Sequence, residues 1–413
     1  MMATILILFL FALFSAAWIM RWARVAEALP RIDPDTDFPE PHPVPRVSVI
    51  LPVRNEEENI RGCLESLLAQ SHPDLEVIVV DDRSDDGTPQ ILREFEQRYA
   101  PPGRETAESS SDRRPGHTPR LKVVQGKPCP PDWMGKNHAL DQGYREAGGV
   151  FLLFVDADTR SHPKLVEKTV GYALESGTGL LTLLHSCEFQ CFWDSVVNSL
   201  ILYLAPFQNF ERFNEPEDPK ANGNGPFMLF RRDVYERIGG HRAIRGEVVE
   251  DLVIARKVKE AGFRLTWAMA PELFVSRPYA SLSELRKGWG KVLFRCMELN
   301  PRLIALNLFL PLVMLGYLLF PWAALVLSVL PPAVLGWSGA ARLTVICLAL
   351  TQIGATVAGH RFLKILFRLQ PTYPWAYPLG ALALTWIQWE ACFRVLTGRK
   401  VTWKGREYRE EKK

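Results

Sequence analysis

The sequence predicts an α/β fold, a mostly parallel central sheet with flanking helices, joined to transmembrane helices. Three observations predict it. The chain opens on a stretch with no charge, ends on a long apolar region, and between them alternates β-branched runs with helix-period segments.

Residues 1–20 carry no charged side chain, and Ile5 to Met20 is a nearly continuous apolar run. No basic residue precedes this run and its positive charges follow it, so an uncleaved anchor over 1–29 is expected instead of a removed leader. Six prolines (Pro30, Pro34, Pro39, Pro41, Pro43, Pro45) mark 30–46 as an extended linker.

A domain of catalytic size is expected over 47–282. Val47–Leu51 reads as a buried strand, Glu57–Gln70 as a helix and Leu75–Val80 as a second strand, the repeating unit of a parallel sheet. Residues 100–119, rich in Pro, Ser, Gly and charge, read as a disordered surface loop. Leu121–Val124 resumes the sheet, Lys136–Glu146 is helical, and Val150–Val155 is an apolar strand. Further strands are expected at Leu180–Leu184, Phe227–Phe230 and Arg264–Trp267. Phe192–Phe213 is strongly apolar but interrupted by Pro206. Residues 283–300 alternate Leu285, Trp289, Val292 and Leu293 with Arg286, Lys287, Lys291 and Arg295. That pattern suits an amphipathic helix in the membrane interface or a core helix of the central domain.

The region 301–398 holds apolar runs near 303–320, 322–337, 343–359 and 375–396, with Pro311, Pro321, Pro331 and Pro332 among them. Three or four spans fit. Four would return the basic tail of 399–413 to the cytoplasm but leave His360, Arg361, Lys364 and Arg368 outside; three reverse that conflict. Arg21, Arg24 and Arg31 after the first run, and the basic tail, place the central domain on the cytoplasmic side of the cell membrane.

A net charge of +3 is too small to imply a nucleic-acid partner. The seven cysteines follow no disulfide or metal spacing, so reduced thiols are expected. A transporter is disfavoured, since Glu390, with Arg394 one turn on, is the sole candidate for a functional ionisable group within the runs.

The chemistry-bearing residues stand at strand ends and helix starts. Asp81 and Asp82 close the second strand, where ligands of parallel sheets bind; helix capping is the competing role. Asp156 and Asp158, alternate residues after Val150–Val155, aim oxygen donors at one locus, as Mg²⁺ or Mn²⁺ beside a diphosphate requires. Glu250 and Asp251 open a helix, where a carboxylate serves either as general base or as dipole compensation. Lys136, after Gly135 at another helix start, suits a phosphate.

In this order the residues resemble the family 2 glycosyltransferases. The match runs from Val47-Ser48-Val49-Ile50-Leu51-Pro52-Val53-Arg54-Asn55-Glu56 through Val79-Val80-Asp81-Asp82 and Asp156-Ala157-Asp158. It continues to Gly223-Asn224-Gly225, Gly239-Gly240-His241 and Glu250-Asp251-Leu252, over roughly residues 46–298. The resemblance implies the GT-A fold, a nucleotide-diphosphate sugar donor (UDP-sugar foremost) and Mg²⁺ or Mn²⁺. It implies that Pro52, Asn55, Glu56 and Asp82 line the nucleotide pocket, that Lys136 approaches the diphosphate, and that Asp156 faces the donor. Asp158 would hold the metal with Asp156, Gly225 would permit close approach, and Asp251, beside Glu250, would be the base of an inverting displacement. The segments 133–140, 239–251 and 401–406 are similar to the hopanoid, carotenoid and ceramide branch, which implies a lipid or isoprenoid acceptor at a membrane. The processive synthases carry Gln-x-x-Arg-Trp after the base. Here Leu285 and Gly288 stand at the first and fourth of those positions while Trp289 is kept, which disfavours repeated transfer. Arg286, Lys287, Trp289 and Lys291 are then the expected phosphate or acceptor contacts. A polysaccharide synthase and an idle nucleotide-sugar-binding scaffold are the alternatives.

Overall fold

The computed structural model describes residues 2–39, 41–99, 120–205, 209–299, 302–331, 337–397, 401–403 and 406–408. The loop expected at 100–119 lies outside them, as does most of the basic tail. The chain forms two compact units, one of residues 29–186 and 209–277, the other of residues 1–28, 187–208 and 278–413.

The elements in chain order are α1 (Met2–Ala28), β1 (Val47–Val53), α2 (Ile60–Leu68), β2 (Leu75–Asp81), α3 (Thr88–Tyr99), β3 (Arg120–Gln125), α4 (Gly135–Glu146), β4 (Phe151–Val155), β5 (Thr159–Ser161) and α5 (Leu165–Ser176). Then follow β6 (Leu180–Leu184), β7 (Ser186–Cys187), α6 (Phe192–Leu204), α7 (Phe210–Asn214), β8 (Phe227–Arg231), α8 (Arg232–Arg237), α9 (Glu250–Glu260), β9 (Leu265–Met269) and β10 (Phe274–Ser276). The chain continues with α10 (Leu282–Leu299), α11 (Arg302–Ser328), α12 (Gly339–Phe367), α13 (Tyr377–Thr397) and a short hairpin, β11 (Val401–Trp403) and β12 (Arg406–Tyr408).

The first-named unit is built on a seven-stranded sheet in the order β3-β2-β1-β4-β8-β6-β9. The pairs β3–β2, β2–β1, β1–β4 and β6–β9 are parallel, and β8 runs antiparallel to both neighbours, so the sheet is mostly parallel, as expected. Period-two alternation sorts each strand between two faces. Val47, Val49, Leu51 and Val53, with Val77, Val79, Leu153 and Val155, join the helices α2, α3 and α5 through Leu64, Leu67, Phe95 and Val170. Ile78 and Val80 point the other way, to Ala139 of α4. Gly143 lets α4 sit that close: a Cβ there would lie 2.5 Å from Ile50. Pro52 is tolerated in a central strand because β4 pairs with β1 only as far as Ile50, leaving no ladder bond for Pro52 to break on that side.

The linker expected at 30–46 is a packed part of this unit. Ile32 is fully buried, its N–H donates to Met269 O at 2.9 Å, and Met269 N–H donates to Pro30 O at 2.8 Å. Phe38 packs on Tyr172 and fills the space left by Gly171. Two apolar side chains among the prolines have a core to join, and burying them outweighs the extended preference of proline. The 47–282 boundary also needs correction, because residues 187–208 belong to the other unit.

In that unit α1, α11 and α12 are long and apolar enough to cross a membrane. The runs 303–320 and 322–337, expected as separate, are joined over most of their length by α11, which carries Pro311 and Pro321 inside it. Membrane helices tolerate proline because neighbouring groups satisfy the freed carbonyls. Of the three or four C-terminal spans expected, α11 and α12 meet the length and composition of a span; α13, of 21 residues, carries Glu390 and Arg394 as an ion pair 2.7 Å apart. The helix expected at 283–300 forms as α10. Its apolar edge, Leu293 and Met297, is covered by Ala391, Cys392 and Val395 of α13, so protein rather than lipid faces that edge.

A candidate active site at the strand ends

Parallel strands share one carboxyl edge, and a ligand crevice opens where successive connections leave on opposite sides of the sheet. That switch point falls between β1 and β4. The segments following β1, β2 and β4 therefore form the site's floor: residues 54–59, 82–87 and 156–158.

The first two of these segments are tied to each other. Asn55 N–H donates to Ser84 Oγ at 3.0 Å, and Asp85 N–H donates back to Asn55 Oδ1 at 3.0 Å. Glu56 N–H donates to Thr88 Oγ1 at 2.9 Å, and Asn59 Nδ2 donates to Glu56 Oε2 at 3.2 Å. Arg54 Nη1 donates to Asp82 O at 2.8 Å, and Asp82 itself is buried, its N–H bonded to Val53 O at 2.8 Å. Asn55 and Arg83 hold left-handed backbone, φ 53° and 61°, which asparagine accepts more readily than arginine. Four of the expected donor-site residues, Pro52, Asn55, Glu56 and Asp82, are thus neighbours at the ends of β1 and β2.

The carboxylates after β4 and before α9 meet at Lys136. Its Nζ lies 2.7 Å from Asp156 Oδ1 and 2.8 Å from Glu250 Oε1. The meeting is built by α4. Asn137 is buried and its Nδ2 donates to Ile244 O and to Glu247 O, both at 2.9 Å, while Met134 N–H donates to Arg245 O at 2.7 Å. These bonds fasten 244–247 to the start of α4, so the start of α9 arrives beside Lys136. Gly225 closes the group. Its N–H donates to Asp251 Oδ2 at 3.1 Å, and a Cβ there would stand 3.4 Å from Asp251 Oδ2, 3.5 Å from Lys136 Nζ and 3.7 Å from Glu250 Oε1. Leu252 N–H donates to Asp251 Oδ1 at 2.8 Å, so both oxygens of Asp251 are oriented by backbone.

Burial pushes Asp251 well above the usual carboxylate range, the charge of Glu250 adds to the rise, and Lys136 opposes it. For Lys136 burial favours the neutral amine, but Asp156 and Glu250 more than reverse this and hold it charged. Its side chain is still about a third exposed (34%), so solvent reaches the group.

His241, given no role from sequence, lies within electrostatic reach of Glu250 and Lys136. It is fully buried, with Nδ1 2.8 Å from Tyr235 Oη, and burial pushes it down to about 3. The pair Gly239-Gly240 before it, both at positive φ, was the available signal for a tight turn delivering a side chain inward. Gly223 was also passed over: a Cβ there would meet Asp251 O at 2.6 Å.

Among the described residues no cluster of three or more His, Cys, Asp or Glu could hold a metal by protein ligands alone. The two carboxylates at the end of β4, Asp156 and Asp158, do suit Mg²⁺ or Mn²⁺, since such ions keep waters and need few protein oxygens when phosphate supplies the rest. Asp158 is placed by Arg277 N–H, which donates to its carbonyl at 2.7 Å. The remaining expected contacts belong to the other unit, on α10. Trp289 Nε1 donates to Asn198 Oδ1 at 2.8 Å, and Arg286 lies 3.5 Å from Glu390 and over the ring of Trp386. Lys287 is exposed and Lys291 half-buried.

Comparison with known proteins bears on the family and the fold. Residues 48–239 match the sequence profile described as Glycosyl transferase family 2. Glycosyltransferase AglE of Haloferax volcanii is 27% identical over 256 residues, covering 60% of this chain and 74% of that protein. The 4,4'-diaponeurosporenoate glycosyltransferase of Staphylococcus aureus is 27% identical over 250 residues, covering 59% of this chain and 60%, under two thirds, of that protein. Among solved structures, the mannosyltransferase PcManGT from Pyrobaculum calidifontis, in complex with GDP-Man and Mn²⁺, superposes with a TM-score of 0.50. The identity is 18%, and 96% of this chain and 99% of that one are covered, which is a likeness of fold.

Proposed function

We propose that this chain, whose residues 48–239 match the family 2 glycosyltransferases, is an enzyme of that family and transfers a single sugar, with inversion, from a nucleoside-diphosphate donor to a lipid or isoprenoid acceptor in the membrane. One observation carries the reading: Lys136, Asp156 and the adjacent pair Glu250 and Asp251, from three separate segments, converge beside Gly225.

In this reading Pro52, Asn55, Glu56 and Asp82 receive the nucleoside of the donor, a UDP-sugar, at the ends of β1 and β2. Asp156 and Asp158 would hold Mg²⁺ or Mn²⁺, which supplies Lewis-acid neutralisation of the diphosphate when bound. Lys136 turns its charge to the diphosphate, and Gly225 leaves the sugar space to approach. Asp251, ionised and held by Gly225 and Leu252 N–H groups, accepts the proton of the acceptor hydroxyl. That oxygen bonds to the anomeric carbon as the bond from that carbon to the diphosphate oxygen breaks, and the electron pair leaves with the diphosphate.

The lipid acceptor is supported by helices long and apolar enough to span a membrane and by the name of the Staphylococcus aureus relative, a 4,4'-diaponeurosporenoate glycosyltransferase. The basic residues after the first apolar run and in the tail support a cytoplasmic catalytic domain at the cell membrane. Repeated transfer is disfavoured at Gly288, where the processive motif has arginine: a Cβ there would lie 2.5 Å from the ring of Tyr279. The test is transfer by the detergent-purified full chain from labelled UDP- and GDP-sugars, with Mn²⁺ and a total lipid extract. The proposal expects one labelled product in the organic phase, carrying one sugar. A ladder of products, or label confined to water-soluble acceptors, would overturn it.

A further inference from the structure

The unit that contains the apolar helices has a narrow, partly open cavity between α6, α12 and the segment entering α13. At its depth it admits a group the size of a water molecule. Three polar atoms line it without a hydrogen-bond partner among the described residues: Ser199 Oγ, Thr372 Oγ1 and His360 Nε2. His360 is 5% exposed and Ser199 8%. Three orphaned polar atoms in one small cavity are costly unless a ligand pairs with them.

Their chemistry is specific. His360 Nδ1 lies 3.0 Å from Thr356 O, and a carbonyl only accepts, so Nδ1 carries the proton and Nε2 of the neutral ring offers a lone pair. The two hydroxyls can donate or accept. The other lining side chains are apolar or aromatic, with no cation and no carboxylate among them. The site therefore takes a small neutral group that donates one hydrogen bond and accepts others, which describes a hydroxyl. A phosphate is too large for the depth of the cavity and finds no positive charge there.

The site is rigid. His360 is stacked between Tyr203, 4.7 Å and 13° away, and Tyr377, 5.7 Å and 18° away, while Trp18 stacks on the far side of Tyr203 at 4.0 Å. Gly359 makes room for this stack: a Cβ there would lie 2.9 Å from both Trp18 and Tyr203. Ser195 Oγ donates to Pro371 O at 2.7 Å, fixing the segment that carries Thr372 against α6.

We propose that Ser199, His360 and Thr372 form a binding site for the terminal hydroxyl of a membrane-dissolved alcohol. Its hydrocarbon would leave along the exposed apolar side chains of α13, Leu379 and Leu382. A part in transfer, as a station for an alcohol acceptor in preference to a lipid phosphate, rests on the lipid-acceptor reading above; the binding does not.

The full chain in phosphatidylcholine nanodiscs is irradiated with a long-chain alcohol bearing a diazirine beside the hydroxyl, and labelled peptides are located by mass spectrometry. Labelling needs no turnover, so it can fail while transfer stands, or succeed while transfer fails. The proposal expects label on 192–204 and 371–377. The methyl ether and the phosphate monoester of the same alcohol should compete poorly, and glycerol should not compete. His360→Phe should cut labelling about tenfold, the loss of one hydrogen bond of ~1.4 kcal/mol. If that variant does not fold, Ser199→Ala with Thr372→Val, which keeps the aromatic stack, carries the test with the same expectation. Label elsewhere, equal competition by the ether, displacement by glycerol, or unchanged labelling in a folded variant would each show a cavity filled by water only or served from the aqueous phase, and would overturn the proposal.

Discussion

Lys136 and Glu250 act on Asp251 in opposite senses, and this makes the assignment of the base open to test one charge at a time. Asp251 takes a proton only when ionised, so activity is present above its pKa and lost as pH falls through it. With that pKa raised by burial, the acid limb of kcat/KM should lie above the ordinary carboxylate value of about 4. Lys136→Met removes the opposing cation and should move the limb to higher pH; Glu250→Gln removes the like charge and should move it lower. A limb that stays in place in both variants would mean that another group titrates. The carboxylates themselves were legible because each ends a strand or opens a helix. His241 was not, since the two glycines before it signal a tight turn but not what the inward side chain meets, and its place beside Glu250 and Lys136 exists only once residues 244–247 are bonded to α4.

At the scale of elements, the site is an agreement between the starts of α4 and α9, and Asn137 enforces it. Asn137→Ala removes two hydrogen bonds that fasten 244–247 to α4, a cost of about 1–3 kcal/mol. We expect a lower melting temperature together with a fall in kcat, while affinity for free nucleoside diphosphate, which the ends of β1 and β2 serve, changes little. An equal loss in both, or in neither, would contradict this division. The strands were legible because central parallel strands are continuous apolar runs, and β1, β2, β4 and β6 fall within a few residues of their expected limits. The prolines misled in two places. In 30–46 they hid Ile32 and Phe38, which pack as core, and in 303–328 they divided on paper a helix that is continuous.

Over the whole molecule, the sequence's alternation of apolar and polar stretches separates the two units, except that residues 187–208 leave the α/β unit to join the apolar helices. The apolar run of α6 signalled this, but an apolar helix of its length reads equally as core. The account as a whole turns on Asp251 doing chemistry and not holding the donor. Single-turnover transfer from a bound nucleoside-diphosphate sugar to lipid extract, compared between the full wild-type chain and Asp251→Asn, tests that most directly. General-base catalysis contributes roughly 10²–10⁴ in rate, so the variant should bind donor as tightly as wild type and transfer at least about a hundredfold more slowly. Transfer at the wild-type rate, or loss of donor binding with transfer per bound donor unchanged, would contradict it.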